Sequence, residues 1–135
     1  DLLVSDHTPV GADEKALPFS EATPGATGLE LLLSLTLKWA AEVGLSLPQA
    51  LGVVTYRSAA LLGASARTHQ ASPGHLEPGC QADVCVFDPA AVWRVSPQQL
   101  RSQGKHTVFE GYELPGRVQH TVVGGRVVFS ADAPG

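Results

Sequence analysis

The sequence predicts an α/β fold, with a strand, a long loop and helices in the first half and β-strands in the second. Three observations carry this reading: an apolar run that stops on Asp6, an apolar stripe at helical spacing over residues 28–43, and two β-branched runs joined by Gly124-Gly125. At 135 residues and 44% hydrophobic, the chain can bury a core as one compact domain or as the tail of a larger one.

Residues 1–5, Asp-Leu-Leu-Val-Ser, read as one buried strand of a parallel sheet that delivers the Asp6 carboxylate at its C-terminal end. That end is where α/β folds place their chemistry. An aspartate before a loop also serves as a helix or turn cap, so the position alone does not decide its role. Residues 7–27 are rich in Pro, Gly, Ala and acidic side chains and read as loop. A well-buried helix follows over residues 28–43, stopped by Gly44. A second helix starts at Ser46, whose hydroxyl can cap the first turn, with Pro48 near its start. A third spans residues 56–62 and ends at Gly63, and the small, polar stretch 64–73 separates the two halves. Beyond it, residues 83–87 and 92–95 read as strands. Residues 120–123 and 126–129 form a hairpin, because both glycines between them can take positive φ.

Composition excludes several classes. A net charge of −4, with nine basic residues scattered along the chain, gives no footprint for nucleic acid. The apolar run at residues 31–33 is broken by Ser34, Thr36 and Lys38, so no stretch spans a bilayer. No basic segment precedes an apolar one at the start, and the chain opens on Asp1 rather than methionine, which suggests a truncated or processed chain. Cys80 and Cys85 fall on opposite faces of extended chain and read as small buried hydrophobes. Reduced thiols suit a cytoplasmic protein.

Four segments, in order, resemble dihydroorotase of the amidohydrolase superfamily. Ser5-Asp6-His7-Thr8-Pro9, with Asp13-Glu14-Lys15 and Pro18-Phe19, is similar to the family's loop after the eighth barrel strand. Pro24-Gly25-Ala26-Thr27-Gly28-Leu29-Glu30 resembles its substrate-contacting turn into a helix. Gly74-His75-Leu76-Glu77-Pro78-Gly79, with Ala82-Asp83-Val84 and Phe87-Asp88-Pro89, resembles the exit from the barrel in many amidohydrolases. Gly104-Lys105-His106-Thr107-Val108-Phe109, through Gly116-Arg117-Val118 to the hairpin, looks like their C-terminal strands.

The resemblance implies that residues 1–70 are the last strand and closing helices of a (β/α)8 TIM barrel, and that residues 71–135 belong to a composite β-sandwich. It implies zinc as a binuclear centre, with Asp6 as both metal ligand and catalytic carboxylate and the other ligands outside this chain. In the family, the carboxylate at this place takes a proton from the nucleophile between the two zinc ions and returns it to the leaving nitrogen of dihydroorotate, giving N-carbamoyl-aspartate. Pro24 and Gly25 match positions whose backbone contacts that substrate, glycine permitting the close approach; a plain turn before the helix is the other reading.

His7, next to Asp6, points away from it on extended chain and is not expected to be a second ligand. Val10 stands where active members usually carry a histidine that touches the substrate carboxylate. That departure leans toward a second reading, a noncatalytic dihydroorotase-like scaffold of aspartate transcarbamoylase, which needs no metal. A third, another cyclic amidase such as hydantoinase or allantoinase, is disfavoured by the loop from Glu14-Lys15 to Phe19. His69, His75, His106 and His120 show no paired spacing and read as structural. A lone barrel strand would expose an edge, so a homo-oligomer or association with the missing N-terminal part is expected.

Overall fold

The computed structural model describes residues 2–62 and 74–132. In chain order these form α1 (Ala12–Lys15), a 3-10 turn (Leu29–Leu31), α2 (Leu32–Glu42), α3 (Leu47–Gly52), α4 (Tyr56–Leu62), β1 (Val84–Arg94), β2 (Glu113–Val123) and β3 (Arg126–Ser130). The three strands make one antiparallel sheet in the order β1-β2-β3.

The expected helical stripe is present, entered through a tighter turn than a plain α-helix provides. Its buried positions are Leu31, Ser34, Thr36, Leu37 and Ala40, and all but Thr36 recur at three-residue intervals along one face. Leu37 lies against Gly116 of β2, and Leu31 and Ser34 also meet the sheet. Leu31 shares a core with Val95, Leu100 and Leu114, and Leu35, Trp93 and Phe109 pack around it. One residue from the helical half therefore sits at the centre of the β half. Truncating it to alanine would cost about 2–5 kcal/mol. The Ser34 hydroxyl donates to Gly116 O at 2.8 Å and accepts from Trp93 Nε1 at 3.0 Å, so a polar group on the buried face is fully used.

Four expectations are corrected. Residues 2–5 form no strand. They are tied by Leu3 N–H donating to Val53 O at 3.0 Å, and Leu2, Leu3 and Val4 remain exposed. A parallel strand exists only through its neighbours, and the strands of the described residues all lie in a different sheet. The loop at 7–27 contains α1, closed by Glu14 Oε2 accepting Gly11 N–H at 3.2 Å. The strands expected at 83–87 and 92–95 are one strand, β1, whose register against β2 shifts between Asp88 and Val92. Pro89 has no N–H for the ladder, and Asp88 Oδ1 accepts from Ala90 N at 2.8 Å and Ala91 N at 3.3 Å instead, which carries the chain through a bulge. Ser46 does stand at the start of α3, but its hydroxyl donates to Gln49 Oε1 at 2.8 Å, and that same oxygen takes Ser46 N–H at 2.9 Å.

The hairpin is as expected, with Gly124 at φ 56 and Gly125 at φ 77. Its tip is fastened to the chain before β1, since Asp83 Oδ1 accepts Gly124 N–H at 2.7 Å and Ala82 O accepts Gly125 N–H at 3.0 Å. Strand β2 begins at Glu113, well before the expected 120. The expected helix stop at Gly63 and the separating stretch at 64–73, with His69, lie outside the described residues. Both cysteines are free. Among the described residues, no helix is long and apolar enough to cross a membrane.

Candidate functional site

Asp6, Pro24 and Gly25, separate in sequence, belong to two segments that lie against each other. Thr8 N–H donates to Ala26 O at 3.0 Å. Gly25, at φ 128, leaves no room for a side chain: a Cβ there would stand 2.5 Å from Thr8 O and 2.8 Å from Thr8 Cγ2. A Cβ on Gly28 would likewise come within 2.6 Å of Ser5 O. Glycines at these two places allow the turn at 24–28 to lie directly on the backbone around Asp6. Asp6 and Pro24 are exposed and Gly25 is half-buried.

Asp6 is the one residue other than glycine with positive φ among the described residues, at 44°. The half-buried His7 turns toward the start of the helix, where its Nδ1 accepts the N–H groups of Gly28 and Leu29, each at 3.2 Å. Those are N–H groups that a helix start leaves without partners. No sequence signal marks this role, because the partners lie 21 and 22 residues away.

The turn is held from the other side as well. Thr27, buried, donates its N–H to His106 O at 2.7 Å and its hydroxyl to Gly104 O. Val10 is only 4% exposed. A Cβ on Gly104 would stand 2.7 Å from Val10 N and 2.8 Å from Val10 O. Val10 is thus a buried residue whose backbone lies directly against Gly104.

His75 and His106 are exposed and His120 is half-buried on β2. Among the described residues, no group of three or more His, Cys, Asp or Glu side chains is placed to hold a metal ion. An exposed carboxylate oxygen is a donor that zinc accepts, and Asp6 fits the group as a single ligand.

Glu30, in the 3-10 turn that leads into α2, has a lowered pKa. Burial alone would raise it, but the Arg101 N–H, the Ser102 hydroxyl, the Ser102 N–H and the charge of Lys105 outweigh burial. This carboxylate is a fastening between the halves rather than a reactive group.

Comparison with known proteins agrees with this architecture. The pattern of the amidohydrolase family matches residues 2–129. The dihydroorotase of Geobacter metallireducens is 39% identical over 129 residues, 96% of this chain and 29% of that protein. That of Anaeromyxobacter dehalogenans is 38% identical over 132 residues, 98% of this chain and 29% of the relative. Among solved structures, a D-hydantoinase (dihydropyrimidinase) from Thermus sp. superposes with a TM-score of 0.80 at 25% identity, over 96% of this chain and 28% of its own. A D-hydantoinase from Bacillus sp. AR9 gives 0.76 at 21% identity, over 96% of this chain and 28% of its own. The chain therefore spans less than a third of the proteins it matches. With nearly every residue inside the family pattern and the same fold in its structural relatives, the chain belongs to the amidohydrolase family.

Proposed function

We propose that this chain is the C-terminal part of a dihydroorotase, with residues 1–70 closing a (β/α)8 barrel, residues 71–135 contributing to a β-sandwich, and Asp6 as the catalytic carboxylate. The observation that carries the reading is the seating of the 24–28 turn on the backbone around Asp6, where Gly25 has no room for a Cβ. The identity of 39% to a dihydroorotase across 96% of the chain supports the substrate class.

In this reading Asp6 takes a proton from the water that attacks the ring carbonyl carbon of dihydroorotate. The carbonyl carbon–ring nitrogen bond then breaks, Asp6 gives the proton to that nitrogen, and N-carbamoyl-aspartate leaves. Zinc, bound through Asp6 and ligands outside this chain, would lower the pKa of that water toward about 7 and polarise the carbonyl. The backbone of the exposed Pro24 and the half-buried Gly25 would line the substrate side of the turn. Val10, buried against Gly104, takes no part, so the substrate carboxylate is bound by another group. Soluble substrates of pyrimidine synthesis and two free thiols fit a cytoplasmic enzyme.

The test is zinc content and dihydroorotate hydrolysis by the complete polypeptide that carries this chain. Asp6→Asn is expected to lower turnover by about 10²–10⁴-fold. A folded, zinc-loaded sample without turnover would overturn the enzymatic reading and leave the scaffold of aspartate transcarbamoylase in its place.

A further inference from the structure

We infer that His7 is a positioning residue that holds Asp6 in its working conformation, an inference that rests on the dihydroorotase reading above. Asp6 has φ 44, a left-handed conformation uncommon outside glycine, though aspartate takes it more readily than most residues. The chain on either side of it is held. Upstream, Leu3 N–H is held by Val53 O at 3.0 Å, and downstream Thr8 N–H is held by Ala26 O at 3.0 Å. Between them, the side chain next to Asp6 is His7, fixed by the Gly28 and Leu29 N–H groups at 3.2 Å each.

A purely local capping role does not account for this arrangement. Helix starts are ordinarily capped by a nearby Ser, Thr, Asp or Asn. The N-cap position here is Gly28, which has no side chain to cap with, and the hydroxyl of Thr27 before it is spent on Gly104 O. The helix start is capped from 21 residues upstream, by the neighbour of the proposed catalytic carboxylate. The bond therefore joins two segments, and its effect on Asp6 is to keep the backbone from relaxing to negative φ. A proton-transferring carboxylate that swings by about an ångström loses much of its rate while the substrate still binds.

The experiment uses the complete, zinc-loaded polypeptide with His7→Ala, His7→Asn and His7→Gln. The Asn carboxamide oxygen stands where Nδ1 stood, whereas that of Gln reaches one carbon further. We expect His7→Ala and His7→Gln to lower kcat about 10- to 100-fold with KM nearly unchanged. His7→Asn should restore most of kcat. Amide hydrogen exchange at Gly28 and Leu29 should be faster in His7→Ala than in wild type and slow again in His7→Asn. Wild-type kcat in His7→Ala, or an Asn variant no better than Ala in both readouts, would overturn the inference. If the wild type itself shows no dihydroorotate turnover, it is the functional reading that fails, and Gly28 and Leu29 exchange unchanged in His7→Ala would then overturn the His7 clamp on its own.

Discussion

Glu30 Oε1 accepts both the backbone N–H of Ser102, at 2.8 Å, and its hydroxyl, at 2.7 Å, while Oε2 takes Arg101 N–H at 2.7 Å. One carboxylate at the head of the helix thus closes the turn that follows β1. Because its folded-state pKa is depressed, its contribution is whole above the unfolded value of about 4.3 and is lost as the pH falls through the lower folded value. Replacing Glu30 by Gln should lower stability near neutral pH by about 1 kcal/mol. The difference from wild type should shrink under acid, as read from urea midpoints followed by tryptophan fluorescence across pH 3–7.

Ser34→Ala leaves Trp93 Nε1 and Gly116 O without their shared partner. A loss of about 1–3 kcal/mol is expected, together with a change in Trp93 emission. An unchanged denaturation midpoint would show that water replaces the hydroxyl.

Gly25→Ala forces a Cβ to 2.5 Å from Thr8 O at a φ of 128. The segments must separate, with a stability loss on the order of 1–3 kcal/mol. On the proposed function, dihydroorotate turnover falls further than folded fraction does, and comparing the two in one preparation checks this.

Val10→His tests whether the usual family side chain would gain a contact here. At 4% exposure the imidazole enters a packed site against Gly104. We expect destabilisation by about 1–3 kcal/mol and no fall in KM. A lower KM in a stable variant would contradict the burial of this position.

The helical stripe and the Gly-Gly hairpin were legible because both are local, set by periodicity and by φ at two residues. The two strands expected at 83–87 and 92–95 are one because the residues between them, with Pro89, form a bulge within β1, which period alone does not reveal. The early part of β2 carries Pro115 and Gly116, which hide its pairing with Val92 and Trp93 from any local rule. At the site, Asp6 and the 24–28 turn could be named from motifs, but not the bonds of His7 and Thr27, which join residues 21 and 77 apart. Residues 2–5 read as a strand from composition alone, and composition supplies no ladder partners.

The tether from Thr27 to Gly104 and His106 makes the C-terminal half a support for the turn that lies beside Asp6. On the proposed function, Thr27→Val, which removes the hydroxyl end of this tether, should lower dihydroorotate turnover more than it lowers the folded fraction.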